Sequence, residues 1–352
     1  MHLGEVQLSE FEYNLPEKFI AQLPKDKRDE SKLLVMNRAP FKIEHRVFKD
    51  IPGYFSPGDC LVINKTKVLP AKVFCKKSTG GRVEILFLKK TQGVNTWAVL
   101  CRTNITGKNL FFEKAKESVE CRAVEKTQAG EYVLEFSIGV DVPAIMRELG
   151  EMPLPPYIKR KAGSEAYKQA DYAKYQTVYS KIDGSVAAPT AGLHFTPELL
   201  DRIREKGVSV AEITLHIGWG TFRTVISQDV SSHVMLPESY EIEEAEAEKI
   251  NSAKKSGRKV FAVGTSAVRT LETAADAGGR VSACRGETGL FIYPGYKFKC
   301  VAAMITNLHT PKSTPLFLTS ALAGRENIFK AYEAAMENNY RFYSYGDAML
   351  IL

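Results

Sequence analysis

The chain has 352 residues, of which 44% are hydrophobic and 25% are charged, so its composition excludes a disordered chain and leaves room for two domains with separate cores. It contains no run of about 18 apolar residues and begins without the basic and apolar segments of a secretory signal, which predicts a cytoplasmic protein without a membrane segment. Its six cysteines lie far apart and form no CxxC pair, so we expect reduced thiols and no metal site.

The first part of the chain predicts strands at residues 31–36 and 60–64, and six shorter strand patterns then follow between residues 68 and 137. Six strands at this spacing are typical of an antiparallel β-barrel. Because α/β patterns lie on both sides, we predict an α/β domain with a mostly parallel sheet, residues 1–64 and 151–352, that carries an inserted antiparallel β-barrel domain, residues 65–150.

The positive charge of the chain is concentrated in the predicted insertion. Residues 65–130 hold fourteen Lys or Arg and five Glu, an excess of nine positive charges, whereas the whole chain carries +7. This distribution predicts a nucleic-acid partner, although a lysine-rich β-surface also serves solubility and protects sheet edges. The lysines that we expect to contact nucleic-acid phosphates are Lys65, Lys67, Lys72, Lys76 and Lys77.

A proline-rich linker at residues 151–158 and an exposed polar stretch reaching about residue 174 lead to residues 187–225, where two turns rich in glycine and histidine flank one predicted helix. Thr196 is a suitable N-cap and Pro197 suits the first helical position. The buried strand 208–217 follows and ends near His216. Ligands bind beyond the carboxyl ends of strands in open α/β sheets, but a histidine at such a place is often structural, and the residues alone leave both roles open.

The C-terminal part predicts helices at residues 243–256, 265–277, 313–323 and 327–338, strands at 259–264, 290–293 and 302–306, and a final strand. Thr265 opens a helix directly after a buried strand and a glycine, an arrangement whose unpaired amides suit an anion or a ribose. His309 again follows a strand end. The aromatic cluster at residues 340–345 fits either a core or a stacking surface for a base.

Familiar nucleotide and hydrolase motifs are missing from the sequence. The GWGTFR stretch at residues 218–223 lacks the third glycine of GxGxxG, and no GxxxxGK[ST], GxSxG or HExxH motif is present. The sequence therefore gives no support to a dinucleotide-binding, NTP-binding, α/β-hydrolase or zinc-protease function.

Longer motifs carry a resemblance to a known family. They are NKTKVLPAK at 64–72, MPLPPYI at 152–158, YQTVYS at 175–180, AAPTAGLHF at 187–195, LHIGWGTF at 215–222, VGTSAVRTLE at 263–272, TNLH at 306–309 and YRFYSYGDAM at 340–349. Over nearly its full length the chain resembles the S-adenosylmethionine:tRNA ribosyltransferase-isomerases of queuosine biosynthesis. The architecture of that family, an α/β domain with an inserted β-barrel, is the one predicted above.

The resemblance implies transfer and isomerisation of the ribosyl part of S-adenosylmethionine onto the 7-aminomethyl-7-deazaguanine base of tRNA, giving epoxyqueuosine-tRNA, adenine and methionine. S-adenosylmethionine is then a cosubstrate, and no cofactor or metal is expected. The implied chemistry begins with proton removal at C5′, for which an imidazole is suited because it titrates near neutrality. The candidate catalytic residues are His194, His216 and His309. The candidate S-adenosylmethionine-binding residues are Thr190, Gly192, Phe195, Gly218, Gly220, Thr221, Thr265 and Arg269.

Two alternatives from other classes remain at this point: a non-catalytic tRNA-binding module and an S-adenosylmethionine-dependent tRNA methyltransferase. The chain departs from the family pattern at Trp219, where a smaller residue is usual, at Ala267, where serine is expected, and at the LHTP sequence of residues 308–311, where FHLP is common. We expect these departures to bear on the shape of the pocket.

Overall fold

The computed structural model describes residues 6–113, 118–160, 165–222 and 225–352. Strands and helices are numbered in chain order within these ranges. The strands are β1 Lys32–Arg38, β2 Phe41–Val47, β3 Cys60–Asn64, β4 Thr66–Val68, β5 Lys72–Lys77, β6 Arg82–Lys90, β7 Thr96–Leu100, β8 Asn109–Glu113, β9 Ser118–Lys126, β10 Tyr132–Phe136, β11 Ile182–Ser185, β12 Ser209–Leu215, β13 Glu238–Ile242, β14 Val260–Val263, β15 Cys284–Thr288, β16 Ala303–Asn307 and β17 Ala348–Ile351. The helices are α1 Val142–Leu149, α2 Glu165–Lys174, α3 Pro197–Glu205, α4 Glu244–Lys255, α5 Gly264–Ala274, α6 Thr314–Ala323 and α7 Arg325–Glu337.

One sheet of nine strands forms the centre of the larger domain, in the order β15-β13-β12-β3-β14-β16-β17-β1-β2. β12, β3, β14 and β16 run parallel to one another, and antiparallel pairs lie towards both edges. Every residue of β3, β14 and β16 is buried, because α3 covers one face of the sheet and α4 to α7 cover the other. The predicted α/β fold with a mostly parallel sheet is confirmed.

Six antiparallel strands close into a barrel in the order β10-β7-β6-β5-β8-β9. Their side chains alternate between interior and surface, as in β6, where Val83, Ile85 and Phe87 are buried between more exposed neighbours. α1 packs on this core through its apolar face, which includes Ile145 and Met146. The predicted antiparallel β-barrel is therefore confirmed as well.

The two ends of the insertion meet where the barrel joins the larger domain. The amide of Lys72, at the start of the first barrel strand, donates to the carbonyl of Glu151 at 3.2 Å, and the amide of Glu151 donates back to Lys72 at 2.8 Å. Before this junction, β4 pairs with β11 in a separate two-stranded parallel sheet. Lys65 and Lys67 thus lie ahead of the barrel strands.

The structure corrects the strand predicted at residues 290–293, which is irregular. Two of its residues belong to an aromatic cluster, because Phe291 packs against Tyr293 and Phe317 with ring centroids 5.3 and 5.9 Å apart. The strand is instead β15, an edge strand whose sequence, CRGET, gives no hydrophobic pattern. Similarly, the polar stretch before residue 174 forms α2, and the part of it at residues 161–164 lies outside the described residues.

Three further properties concern the chain as far as it is described. No helix in the described ranges combines the length and apolarity needed to cross a bilayer. The same residues contain no group of three or more His, Cys, Asp or Glu placed to hold a metal ion. All six cysteines are free thiols.

Candidate functional site

A cavity of about 310 Å³ lies at the carboxyl edge of the parallel strands. Ile217, just beyond β12, Gly264, directly after β14, and Asn307, the last residue of β16, all line it. The volume lies at the lower end of the range of small-molecule sites. Its position is the one at which open α/β sheets bind ligands, because the chain turns there and leaves polar groups unpaired.

α5 begins in the wall of this cavity. Gly264 has a φ of +82°, a left-handed conformation that favours glycine and lets the chain turn from β14 directly into the helix. Thr265 and Ser266 follow in the first helical turn and both line the cavity. Since first-turn amides have no partner within the helix, this wall suits a negatively polarised or hydroxyl-bearing ligand.

Asn307 is held between two side chains of the turn at residues 190–194. The hydroxyl of Thr190 donates to Asn307 Oδ1 at 2.8 Å, and Asn307 Nδ2 lies 3.3 Å from His194 Nε2. Thr190 and Asn307 line the cavity, whereas His194 is not among the described lining residues and is only 4% exposed. Loss of water around the ring lowers the pKa of His194 to about 4, with Arg341 acting in the same direction. The neutral ring thus accepts from Asn307 and fixes its amide.

Gly192 and Phe195 build the same turn from behind. A side chain at Gly192 would meet the hydroxyl of Tyr179 at 1.9 Å, so only glycine fits this close approach. Phe195 is fully buried against Phe48 and Tyr179 in the core between α3 and the sheet. Both residues support the turn, and neither is among the described residues that line the cavity.

His309 lines the cavity, and its backbone is held on both sides by tyrosines from distant parts of the chain. The hydroxyl of Tyr13 donates to the carbonyl of His309, and the amide of His309 donates to the hydroxyl of Tyr332 at 2.8 Å. Its Nε2 lies 2.7 Å from the hydroxyl of Thr306. Burial lowers the pKa of His309 to about 3, so the ring is neutral near pH 7 and is a weaker base than a free imidazole.

His216 is not among the described residues that line the cavity and lies where β12 meets the small β4–β11 sheet. Its Nδ1 is 3.0 Å from the hydroxyl of Thr66, and the ring packs so closely on Gly184 that a side chain there would approach it to 2.6 Å. Burial lowers the pKa of His216, while Glu241 opposes that shift. His216 therefore belongs to the junction between the domains.

The turn after β12 connects the cavity wall to the barrel. The amide of Gly218 donates to Glu238 Oε1 at 2.8 Å, while Trp219 Nε1 donates to Glu131 Oε1 of the barrel at 3.1 Å. Gly220 packs beside Leu236, which a side chain at this position would meet at 3.3 Å. Trp219 thus contacts the barrel, and the side chain of the following Thr221 lies outside the described part of the chain. Ala267, the other departure, is fully buried in the core under α5.

Arg269 lines the cavity together with a residue that the sequence interpretation missed, Glu238. The guanidinium of Arg269 forms an ion pair with the Glu238 carboxylate, and both side chains are almost entirely buried. Glu238 opens β13 and belongs to none of the motifs that carry the resemblance. The sequence carries no signal for Glu238, because its partner Arg269 is 31 residues away along the chain.

Within the described residues, carboxylate partners are seen for four of the five candidate phosphate-binding lysines. Three of these partners lie outside the barrel strands: Lys65 pairs with Glu243 at 2.5 Å, Lys67 with Asp183 at 3.8 Å and Lys72 with Glu151 at 2.9 Å. Lys76 pairs with Glu113 on the barrel itself at 2.8 Å, and Lys77 follows it as the half-buried end of β5. The first three lysines thus join the barrel region to the larger domain, and the last two lie on the barrel.

Comparison with known proteins agrees with this architecture. A family model described as "Queuosine biosynthesis protein" matches residues 8–351. The S-adenosylmethionine:tRNA ribosyltransferase-isomerase of Moorella thermoacetica is 48% identical over 352 residues, covering 99% of this chain and 100% of that protein. The protein of the same name from Desulforamulus reducens is 47% identical over 351 residues, with the same coverage of both chains. The crystal structure of the S-adenosylmethionine tRNA ribosyltransferase of Thermotoga maritima is 33% identical, has a TM-score of 0.55, and is matched over 97% of this chain and 100% of that chain.

Proposed function

This chain belongs to the queuosine biosynthesis protein family, and on that basis we propose that it transfers and isomerises the ribosyl moiety of S-adenosylmethionine onto 7-aminomethyl-7-deazaguanine in tRNA. The products are epoxyqueuosine-tRNA, adenine and methionine. The observation that carries the proposal is the 48% identity, over 99% of the chain, to a relative named for this activity. Since tRNA and S-adenosylmethionine are both cytoplasmic, we place the reaction in the cytoplasm.

S-adenosylmethionine occupies the cavity at the strand ends. Thr190, Thr265 and Arg269, three of the residues expected to bind it, line this cavity together with His309. Hydroxyls and first-turn amides there suit the ribose and the adenine, and the guanidinium suits the carboxylate of the methionine part. Gly192 and Phe195 contribute indirectly, because they shape the turn that presents Thr190.

His309 is the candidate that we assign to proton removal at C5′, where the adjacent sulfonium makes the C–H bond acidic. It lines the cavity, whereas His194 lies behind Asn307 and His216 lies at the domain junction. A neutral imidazole accepts a proton through whichever ring nitrogen carries no hydrogen. The Thr306 hydroxyl lies 2.7 Å from Nε2 and orients the ring, and Tyr13 and Tyr332 hold the backbone of His309 in place.

The barrel provides the contact with the tRNA backbone. Lys76 and Lys77 lie on β5, and the ion pair of Lys76 with Glu113 is exposed, so a phosphate can replace the carboxylate at little cost. Lys65, Lys67 and Lys72 act mainly at the junction, since their carboxylate partners come from the larger domain or the return linker. In this arrangement the barrel face contacts the RNA, and the strand ends of the larger domain contact the cosubstrate.

Product analysis tests the proposal. The purified chain is incubated with S-adenosylmethionine and tRNA that carries the aminomethyl base, and the small molecules are separated. We expect adenine and methionine in equal amounts, and none with tRNA that carries guanine at that position. Release of S-adenosylhomocysteine would instead identify a methyltransferase, and release of nothing would identify a binding module.

A further inference from the structure

A buried ion pair forms part of the cavity wall. Glu238 and Arg269 are only 5% and 7% exposed, yet both line the cavity. Arg269 Nε donates to the carbonyl of Leu290 at 2.9 Å and Nη2 donates to that of Thr288 at 3.1 Å, while Nη1 donates to Glu238 Oε2. Glu238 Oε1 in turn accepts from the amide of Gly218 at 2.8 Å. The pair is thus fixed in one orientation by two other segments of the chain, residues 288–290 and the turn at Gly218.

The geometry leaves this pair able to bind a ligand. A guanidinium has five N–H donors, and the three bonds of Arg269 engage one on each nitrogen, so each terminal nitrogen retains a second N–H. A carboxylate oxygen accepts more than one hydrogen bond, so Glu238 can receive a further donor while it keeps its present contacts. A buried ion pair is also a weak source of stability compared with an apolar replacement, which favours a role beyond holding the fold together.

The charges around the cavity indicate which part of a ligand meets the pair. Among the described lining residues, Glu238 is the carboxylate, and the cations are Arg269 and Lys312. Lys312 is 34% exposed and pairs with Glu12, so it is a partly hydrated point charge, whereas Arg269 presents a rigid fork. Arg269 with Glu238 therefore offers a matched set of one fixed positive and one fixed negative group.

We propose that Glu238 and Arg269 form a specificity pair for an α-amino acid: Arg269 binds the α-carboxylate and Glu238 receives the α-ammonium of the methionine part of S-adenosylmethionine. This inference rests on the proposed function, since it places that cosubstrate in the cavity. An electrically neutral pair fits a zwitterion and disfavours a ligand with only one of the two charges, because such a ligand adds an uncompensated charge to the buried site. Glu238 thus becomes a specificity-determining residue.

Calorimetric binding to three ligands separates this role from others. The ligands are S-adenosylmethionine, its analogue without the α-amino group, and S-adenosylhomocysteine, which keeps the amino acid but lacks the sulfonium charge. We expect the wild-type chain to bind the deamino analogue at least about tenfold more weakly than S-adenosylmethionine, because a charge-assisted hydrogen bond is lost.

The decisive variant is Glu238→Gln, with Glu241→Gln as its matched control. Glu241 lies on the same strand but pairs with Arg285 at the surface, at 2.6 Å. In Glu238→Gln we expect affinity for both S-adenosylmethionine and S-adenosylhomocysteine to fall about tenfold to a hundredfold, with the deamino analogue unaffected. Glu241→Gln should bind all three ligands as the wild type does.

Two results with the variant overturn the inference. An equal loss of affinity for all three ligands would mean that Glu238 only positions Arg269. A loss of affinity confined to S-adenosylmethionine would mean that Glu238 contacts the sulfonium. If Glu238→Gln does not fold, the wild-type measurements decide, because equal binding of the deamino analogue contradicts the pair. Binding without adenine release refutes the proposed function and leaves the pair standing, whereas no binding of S-adenosylmethionine removes both.

Discussion

The cavity and the barrel surface differ in how firmly the fold holds their polar side chains. In the cavity wall, Asn307 is fixed between Thr190 and His194, and the backbone of His309 is held by Tyr13 and Tyr332. On the barrel, Lys76 and Glu113 form a single ion pair whose side chains are 49% and 57% exposed. The first arrangement fixes atoms for chemistry, and the second provides charge that can change partners.

This difference follows from what each ligand requires. A group that removes a proton must be held close to one position, which needs buried and fully paired neighbours. A phosphate needs only nearby positive charge, and exposed ion pairs contribute up to about 1 kcal/mol, so they exchange easily. Substitutions and changes of pH or salt should therefore affect the two regions differently.

Loss of the His309 ring should have the largest effect. We expect His309→Ala to lower the turnover number by about a hundredfold or more, because general-base catalysis contributes at least that factor, and to leave the affinity for the cosubstrate nearly unchanged. The matched control is His45→Ala, which removes a histidine that bonds a tyrosine at 3.0 Å at the sheet edge. Single-turnover rates and calorimetric affinities measure both quantities.

The same experiment with His194→Ala and His216→Ala distinguishes the three histidines. Since His194 orients Asn307 and His216 lies at the junction, we expect smaller losses in both variants than in His309→Ala. A normal turnover number in His309→Ala, together with a collapse in either of the others, would place the base elsewhere and remove the distinction drawn for the cavity wall.

The pH dependence of stability tests whether His194, which contacts Asn307 in the cavity wall, is buried as a neutral ring. The folded His194 stays neutral down to about pH 4, whereas its unfolded form takes up a proton near pH 6.5, so the unfolded state binds more protons between these values. The free energy of unfolding should therefore fall as the pH is lowered, by roughly 2 kcal/mol between pH 7 and pH 5 for this one group. Urea unfolding at the two pH values measures it.

The variant His194→Gln should lose that part of the pH dependence, because glutamine does not titrate. His45→Gln is the control and should retain the wild-type difference. The same difference in His194→Gln as in the wild type would mean that the ring is not buried in a neutral state, contrary to its 4% exposure.

Charge reversal on the barrel should produce the smallest effect, and one that depends on salt. If roughly six phosphates are neutralised, the logarithm of the tRNA affinity falls with the logarithm of salt concentration at a slope of about −4 to −5. Lys76→Glu with Lys77→Glu should reduce the magnitude of that slope by about 1 to 2, since two contacts are lost. The control, Lys42→Glu with Lys255→Glu, makes the same charge change on the larger domain. An unchanged slope in the barrel variant contradicts a phosphate contact there.

The sequence predicted the two domains because their patterns are local. β3 and β14 are short runs of buried apolar residues, and the barrel strands recur at regular spacing with turn residues between them. The edge strands β2 and β15 were not predicted, because β2 contains no buried residue and β15 has no run of apolar residues. The strand predicted at 290–293 was wrong, because a short run of apolar residues is typical of a buried strand but here packs in an aromatic cluster.

The position of the candidate site in the fold could be predicted from the sequence, but the contacts of its side chains could not. Histidines near strand ends pointed to the edge of the sheet at which the cavity lies, since parallel strands end together. Which histidine lines the cavity depends on tertiary packing, as the contact between Tyr13 and His309 across a sequence separation of 296 positions illustrates. Glu238 was missed for the same reason, because its role depends on Arg269 and on no motif of its own.

Ribosyl transfer is tested by following two labels of S-adenosylmethionine in parallel reactions with tRNA that carries the aminomethyl base. One cosubstrate is labelled in the ribose and the other in the methyl group. We expect the ribose label to enter the tRNA while the methyl label is released in methionine, and we expect His309→Ala to slow both processes alike. Methyl label retained in the tRNA, with the ribose label left in solution, would contradict ribosyl transfer.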